Sequence, residues 1–291
     1  MENLFIGVDG GGTKTEAVIQ NAAGQTLGVG VGGLGNIRTS VTESWHSVRT
    51  AIDAAATAAK INLKDYDVHV GMGMAGTELS TAAKEFLNTP HSFKTLVLDS
   101  DAHAACLGVH GGKDGAIIIV GTGVIGYLIN HNQTYRAGGY GFPHSDEGGG
   151  AWLGLELFRL TFKAIDQRIL WTPMLKHFFA QFNNNAQAFY DYANTAKPSD
   201  YAKFAPVVFE FAAQDPLAKK LLISAAFEVD QIFAGLWQQS KVKTFPLALL
   251  GGVAPFITHF TSKELQKNIV ERKFDAPVGA IMLVKQYLGL I

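Results

Sequence analysis

The stretch Phe5-Ile6-Gly7-Val8-Asp9-Gly10-Gly11-Gly12-Thr13-Lys14-Thr15 decides the fold of this chain. An apolar run ends in an aspartate and three glycines, and a second apolar run follows through Ala17-Val18-Ile19. This pattern predicts a β-hairpin, because glycine turns sharply at little steric cost and lets backbone N–H groups approach an anion. Thr13 and Lys14 lie in the turn, and Asp9 lies at the strand end. The hairpin therefore predicts a site that binds the phosphates of a nucleoside triphosphate together with Mg²⁺.

The composition indicates a globular chain of two ordinary domains. Of 291 residues, 47% are hydrophobic and 17% charged, which is enough apolar material for a sizeable core. A net charge of −1 argues against a nucleic-acid partner. The apolar runs are too short to span a membrane. The single cysteine, Cys106, excludes an intrachain disulfide and a multi-thiolate zinc site, and it fits a cytoplasmic location.

Strands and helices alternate in the first third of the chain. The periodicity predicts strands at Leu4–Val8, Thr13–Ile19, Thr26–Gly30, Val68–Met74 and Thr95–Leu98. It predicts helices at Val41–Ala59, at Thr77–Leu87 and from Asp101 onward. A Rossmann half alternates strands and helices, so three consecutive strands before the first helix argue against that fold.

The same pattern begins again at Asp114-Gly115-Ala116-Ile117-Ile118-Ile119-Val120-Gly121-Thr122-Gly123, with a second strand predicted at Gly126–Asn130. This indicates an internal duplication of a strand, glycine turn and strand. Residues 149–239 are predicted to be mostly helical, with Ser199 or Asp200 as an N-cap. A strand at Pro246–Leu250 then leads into Gly251-Gly252, and a helix at Pro277–Leu288 follows.

Two G-x-G-x-x-G matches, at Gly30–Gly35 and Gly121–Gly126, do not run directly into a helix and so fail the test for a dinucleotide fingerprint. There is also no G-x-x-x-x-G-K-[ST] sequence. Three glycine turns remain, at Asp9–Thr15, Gly121–Gly123 and Gly251–Val253. One alone is usually a tight connection. Three, two of them in duplicated settings, favour a nucleotide held between two similar lobes.

In order and spacing, these turns resemble the phosphate-1, phosphate-2 and adenosine motifs of the actin-like ATPase superfamily. The resemblance is to the BadF/BadG/BcrA/BcrD-type group, and within it to the bacterial glucosamine and N-acetylglucosamine kinases. It covers essentially the whole chain. It rests on Asp9–Lys14, Gly33-Leu34-Gly35-Asn36, Asp99-Ser100-Asp101-Ala102, Gly121-Thr122-Gly123, Gly138–Gly148, Leu250–Val253 and Pro277–Ala280.

The resemblance implies an α/β fold of two ribonuclease H-like lobes with a nucleotide cleft between them. The lobes would be residues 1–113 and 114–291, the second with a helical insertion, and the final helix, 277–291, is a candidate to pack back on the first lobe. The implied activity is that of an ATP:hexosamine phosphotransferase acting on the 6-hydroxyl group of an amino sugar. The implied cofactors are ATP and Mg²⁺, and a homodimer is expected.

The resemblance also implies a role for each matched residue. The turn formed by Gly10, Gly11, Gly12, Thr13 and Lys14 would hold the β- and γ-phosphates, with Asp9 near Mg²⁺. Thr122 and Gly123 would face the phosphates, and Gly251 and Gly252 would pack against adenosine. Asp101 would be the general base. The sugar pocket would be lined by Asn36, Gly139, Tyr140 and Asp146.

The chain departs from the family where Val124 stands for the usual serine and Tyr140 for a common tryptophan. Asp101 could instead be only a helix N-cap; if it is the base, Asp99 is expected to be the cap or a supporting partner. Asp146 and Glu147 could likewise complement a helix dipole. Substrate contact is expected for Asp146, and the role of Glu147 stays open. Lys14 is either solvated or a phosphate partner.

His103, His110 and His144 show no metal-ligand pairing, and the aromatic runs at Phe178–Phe182 and Phe204–Phe211 are expected to be core. Two other functions are considered. A dehydratase-activating ATPase needs two cysteines per subunit for its iron–sulfur cluster, and this chain has one. A non-catalytic sensor would not need the acidic residues that the resemblance assigns to the site, so their presence argues against it. The sequence leaves open whether the sugar amine is free or acetylated.

Overall fold

A computed structural model describes residues 1–242 and 244–291 of the chain. The described residues form two compact units. The first comprises residues 1–115, 129–132 and 271–291, and the second comprises residues 116–128 and 133–270. No helix in these residues combines the length and apolar character needed to cross a membrane.

The elements follow in this order. The strands are β1 (Glu2–Gly10), β2 (Thr15–Asn21), β3 (Thr26–Gly32), β4 (Tyr66–Met74), β5 (Thr95–Ser100), β6 (Gly115–Val120), β7 (Val124–Asn130), β8 (Gln133–Gly138) and β9 (Leu247–Leu250). The helices are α1 (Val41–Ala59), α2 (Ser80–Leu87), α3 (Asp101–His110), α4 (Gly150–Ile165), α5 (Pro173–Ala180), α6 (Ala186–Thr195), α7 (Pro198–Ala202), α8 (Ala205–Phe211), α9 (Pro216–Ser240), α10 (Ala254–Ile257), α11 (Lys263–Lys267) and α12 (Ala276–Tyr287).

The first unit is built on a sheet of order β3-β2-β1-β4-β5. The predicted hairpin is confirmed: β1 and β2 pair antiparallel, and Gly10 lies opposite Thr15. The second strand starts at Thr15 rather than at the predicted Thr13, because residues 11–14 form the turn. β4 and β5 then add in parallel beside β1.

Helix α1 covers one face of this sheet and has the predicted bounds. Ser40 caps its start by accepting the N–H of Glu43, and the left-handed Lys60 ends it. The helix lies close to β3, where a Cβ atom on Gly28, Gly30 or Gly32 would meet the α1 backbone. The alternate residues Leu4, Ile6 and Val8 of β1 join the core on this side.

Helix α12 packs on the other face, where Phe5 of β1 joins Val18, Ile281 and Val284 in a small apolar cluster. The approach is close because glycines stand at the contact. A Cβ atom on Gly7 would meet the carbonyl oxygen of Pro277, and one on Gly71 would meet that of Ala280. Asp9 has the same parity along β1 as Phe5 and Gly7, so it lies on this second face.

Gly73 of β4 allows α3 to approach the sheet. A Cβ atom there would collide with the Cβ atom of Ala104 and would come within 3.4 Å of the Cα atom of Asp101. Gly73 also lies in register with Asp9 on one side and with Asp99 on the other. The missing side chain therefore sets how close the start of α3 comes to the end of β1.

The second unit contains a sheet of order β8-β7-β6-β9, with β6 and β9 parallel. The strand, glycine turn and strand recur at β6 and β7, as predicted. Residues 150–240 are mostly helical, also as predicted. Phe178 and Phe211 are buried, and an aromatic cluster forms the helical core. Its contacting rings are Phe158, Phe178, Phe182, Phe189, Tyr192 and Phe204.

One predicted cap is wrong. The residue before α7 is Lys197, not Ser199 or Asp200. Pro198 takes the first helical position, which suits its fixed φ and missing N–H. Asp200 lies one turn later, and its carboxylate accepts the backbone N–H of Lys197 at 3.0 Å.

We predict that Gly73→Ala lowers the free energy of unfolding by about 1–3 kcal/mol, the usual range for an overpacked core position. Adding Ala104→Gly removes the colliding Cβ atom. The double variant should therefore lose clearly less than the sum of the two single losses, as measured by chemical denaturation. Gly235→Ala, where the new Cβ atom makes only an ordinary 3.4 Å contact, is the control and should not destabilise. Additive losses would contradict this packing.

Candidate active site

The glycine turn of the first unit is held by backbone hydrogen bonds. Gly11 donates to the carbonyl oxygen of Lys14 at 3.0 Å, Gly35 donates to that of Gly11 at 2.9 Å, and Ala75 donates to that of Gly10 at 2.8 Å. Gly12 and Thr13 remain exposed, and a Cβ atom on Gly12 would meet nothing. These hydrogen bonds therefore fix the base of the turn, while the backbone at its tip is open to the surroundings.

Lys14 lies in the turn with its ammonium group 2.6 Å from the carboxylate of Glu16. This hydrogen bond raises the pKa of Lys14. Both groups are at the surface, where such a pair contributes about 0–1 kcal/mol. Lys14 can therefore exchange Glu16 for another anion at little cost.

Asp9 and Asp101 form the acidic centre of this unit. Asp9 stands near the carboxyl end of β1, and Asp101 is the first residue of α3, directly after β5. Burial raises the pKa of Asp9 to about 7, with the negative charges of Asp101 and then Glu16 acting in the same direction and Lys14 opposing them. Two carboxylates therefore lie within electrostatic reach of each other beside the glycine turn.

Asp99 does not cap α3, which corrects one of the two roles expected for it. The cap is Ser100, whose Oγ accepts the N–H of His103 at 3.1 Å. Asp99 instead lies 3.0 Å from the His103 ring. Burial tends to raise the pKa of Asp99, but the hydrogen bond and charge of His103 outweigh it and lower the pKa overall. His103 therefore has a defined partner that its sequence position did not reveal.

Asn36 and Gly12 line one cavity of the first unit, with a volume of about 330 Å³. The side-chain oxygen of Asn36 accepts the N–H of Arg38 at 3.0 Å. This bond orients the amide and leaves its nitrogen as the group that can donate to a ligand. The structure thus brings a residue predicted for the sugar next to one predicted for the phosphates.

In the second unit, the turn at Gly121–Gly123 is tied to the start of α4. Gly150 donates to the carbonyl oxygen of Gly121 at 2.7 Å, and Ala151 donates to that of Thr122 at 2.9 Å. Gly251 follows β9 with φ of 93°, and its Cα lies so close to the end of β6 that a Cβ atom would meet the backbone of Val120. The predicted phosphate-2 and adenosine turns are therefore neighbours within this unit.

Asp146 lies against the Gly121–Gly123 turn. A Cβ atom on Gly123 would sit 2.5 Å from its carboxylate, and the backbone N–H of Val124 donates to that carboxylate at 3.4 Å. Burial raises the pKa of Asp146, with a further contribution from Glu147. Asp146 also has a φ of 73°, an uncommon conformation for a residue other than glycine and one that concentrates at functional sites. The side chain of Val124 is buried, so only its backbone serves this contact.

Tyr140 and Asp146 share a second cavity, of about 280 Å³, within the second unit. Its lining includes Arg136, Glu147 and Glu228, of which sequence reasoning had missed Arg136 and Glu228. Arg136 donates to the carbonyl oxygens of Gly138 and Gly139, and its guanidinium lies 5.3 Å from the centre of the exposed Tyr140 ring. The carbonyl group of Gly139 thus helps to hold Arg136 in the lining of this cavity. No local motif marks Glu228, which comes from the distant helix α9.

We predict that Asp9→Asn stabilises the protein at pH 8 in EDTA. Folding raises the pKa of Asp9, so the protonated side chain favours the folded state. This contribution to the free energy of unfolding is fully present below about pH 4 and is lost as the pH rises through about 7. At about 1.4 kcal/mol per pKa unit, the variant gains up to about 4 kcal/mol at pH 8.

Thermal unfolding measured from pH 4.5 to 8 checks this. The gap between Asp9→Asn and the wild type should widen as the pH rises. Asp67→Asn is the control: the hydrogen bond from Lys94 lowers the pKa of the half-buried Asp67, so removing this carboxylate should give no such gain. A wild type as stable as Asp9→Asn at pH 8 would contradict the burial of this carboxylate.

Comparison with known proteins identifies relatives over nearly the full length. The chain is 36% identical to the glucosamine kinase GspK of Vibrio cholerae over 282 residues, covering 96% of this chain and 95% of that one. It is 27% identical to an N-acetyl-D-glucosamine kinase of Dictyostelium discoideum, covering 97% and 98% of the two chains.

A solved structure from Chromobacterium violaceum, to which N-acetylglucosamine kinase activity has been ascribed, superposes with a TM-score of 0.88. The two chains are 30% identical, and the match covers 97% of this chain and 98% of the other. A ROK-family glucokinase from Streptomyces griseus has a similar fold at 16% identity, with a TM-score of 0.53. The model of the BadF/BadG/BcrA/BcrD ATPase family matches residues 6–284, and the chain belongs to this family.

Proposed function

We propose that this protein is an ATP-dependent amino-sugar kinase that transfers the γ-phosphoryl group of ATP to the 6-hydroxyl group of glucosamine or N-acetylglucosamine. The observation that carries the proposal is Asp101, which begins α3 and whose charge acts on Asp9, near the end of β1 and before the glycine turn. The names of the relatives in Vibrio cholerae and Dictyostelium discoideum support the same reaction.

In this proposal the three glycine turns bind ATP. Gly10 and Gly11 shape the turn, the backbone N–H group of the exposed Gly12 donates to the phosphates, and Thr13 and Lys14 add a hydroxyl group and a positive charge. Thr122 and Gly123 serve as phosphate contacts of the second unit, where Gly251 and Gly252 leave room for adenosine. Phosphoryl transfer depends mainly on such positioning and on charge neutralisation.

The residues present fit a Mg²⁺ ion at Asp9. Mg²⁺ is commonly bound through one or two carboxylates together with substrate phosphates. Burial and the charge of Asp101 raise the pKa of Asp9, and a bound cation would oppose both effects. When bound, the ion would neutralise charge on the transferring phosphates.

Asp101 acts as general base. Its carboxylate accepts the proton of the 6-hydroxyl group as the new O–P bond forms and the bond from the γ-phosphorus to the ADP oxygen breaks. The products are the sugar 6-phosphate, ADP and a proton. Asn36, Tyr140, Asp146 and the Gly139 segment are proposed to bind the sugar.

The dehydratase-activator alternative receives no support from the cysteine content. The chain has a single cysteine, and Cys106 is buried. Burial raises the pKa of its thiol to about 12, whereas a cluster ligand must be a thiolate. Cys106 donates to the carbonyl oxygen of Gly115 at 3.1 Å and acts as a core residue.

We predict that Asp101→Asn lowers kcat for sugar-dependent ADP release at least about 100-fold, because the amide cannot accept the proton. ATP affinity, measured by calorimetry, should stay nearly unchanged. Asp65→Asn, an exposed carboxylate of the same unit, is the matched control and should behave as the wild type.

The assay compares glucosamine, N-acetylglucosamine, glucose and no sugar. Stimulation of ADP release by an amino sugar supports the kinase. Hydrolysis independent of sugar, or near-normal turnover by Asp101→Asn, would contradict it.

A further inference from the structure

The cavity shared by Tyr140 and Asp146 carries an excess of negative charge. Asp146, Glu147 and Glu228 line it, and Arg136 is the cation among its described lining residues. The Arg136 guanidinium already serves the carbonyl groups of Gly138 and Gly139 and the Tyr140 ring. Three carboxylates therefore face a space of about 280 Å³, at the small end of ligand pockets and suited to a monosaccharide.

Glu228 is held in this cavity by the close approach of α9 to the loop after Tyr140. Gly148 makes the approach possible: a Cβ atom there would meet the carbonyl oxygen of Ala225 and would lie 3.4 Å from the Cβ atom of Glu228. Burial raises the pKa of Glu228, and the charge of Glu147 adds to it. The fold thus keeps two like charges near each other, which is unfavourable unless a cation joins them.

The cation that fits is organic rather than metallic. In residues 1–242 and 244–291 no three acidic, histidine or cysteine side chains converge as metal ligands do. Neutral hydroxyl groups would satisfy single hydrogen bonds but would leave the repulsion between Glu147 and Glu228 in place. An ammonium group supplies both hydrogen-bond donors and the missing positive charge.

We propose that this cavity binds the 2-ammonium group of a free amino sugar, with Glu228 as its principal carboxylate and Glu147 as the second. The inference rests on the proposed kinase function and specifies its substrate. Glucosamine is then preferred over N-acetylglucosamine, whose amide is neutral and larger, and over glucose, whose 2-hydroxyl group carries no charge.

Glu228→Gln tests this, because the amide keeps the shape and one acceptor oxygen but loses the charge. We expect kcat/KM for glucosamine to fall about 10- to 100-fold, mainly through KM, since hydrogen bonds to charged groups are the stronger ones. The value for glucose should change by no more than about threefold, as expected for neutral hydrogen bonds that the amide can replace. Glu147→Gln, at an exposed position, should shift the preference in the same direction by less.

Glu210→Gln, which changes an exposed carboxylate of the same unit, is the control. It should leave kcat/KM unchanged for glucosamine, N-acetylglucosamine and glucose. A kinase that prefers N-acetylglucosamine, or equal losses for every sugar in both Glu228→Gln and Glu147→Gln, would overturn the inference while leaving the kinase intact. A wild type that phosphorylates none of the three sugars would overturn the proposed function and this inference together.

Discussion

The burial of Asp9 beside Asp101 is the constraint around which the candidate site of the first unit is built. It arises from packing, because Gly73 lets α3 settle against β4 and so brings Asp101 toward the end of β1. The arrangement is costly, because burial, and to a smaller extent the charge of Asp101, raises the pKa of Asp9. A protein selected for stability alone would not retain it, whereas phosphoryl transfer needs both a base and a site of negative charge for a cation.

In the second unit, glycines again permit the close approaches that place acidic side chains, although the contacts themselves are different. A glycine turn again follows a buried strand, and here the first N–H groups of α4 hold it in place. Gly123 leaves room for the carboxylate of Asp146, and Gly148 leaves room for α9 to bring in Glu228. In both units a glycine permits a close approach, and the approach places an acidic side chain. The glycine content, 32 residues, thus has a structural purpose beyond the turns.

Local signals predicted much of this arrangement. The bounds of α1 followed from its apolar spacing, and the hairpin followed from Asp9 and the three glycines. Contacts between distant segments could not be predicted in this way. Glu228, for example, reaches its cavity because α9 packs beside the loop after Tyr140. The Asp99–His103 pair is a local contact, and it was missed because it depends on which side chain of the Asp99-Ser100-Asp101 run caps α3. The error at Lys197 has the same origin, since several polar residues near Pro198 could have capped α7.

The most direct test of the account is the identity of the product. Phosphorus NMR of a reaction with Mg·ATP and glucosamine or N-acetylglucosamine should show one new phosphomonoester for each ADP formed, with coupling to the two protons on carbon 6 of the sugar. Inorganic phosphate in place of the monoester, or a phosphate on another hydroxyl group, would contradict the proposal that this protein is a 6-kinase of amino sugars.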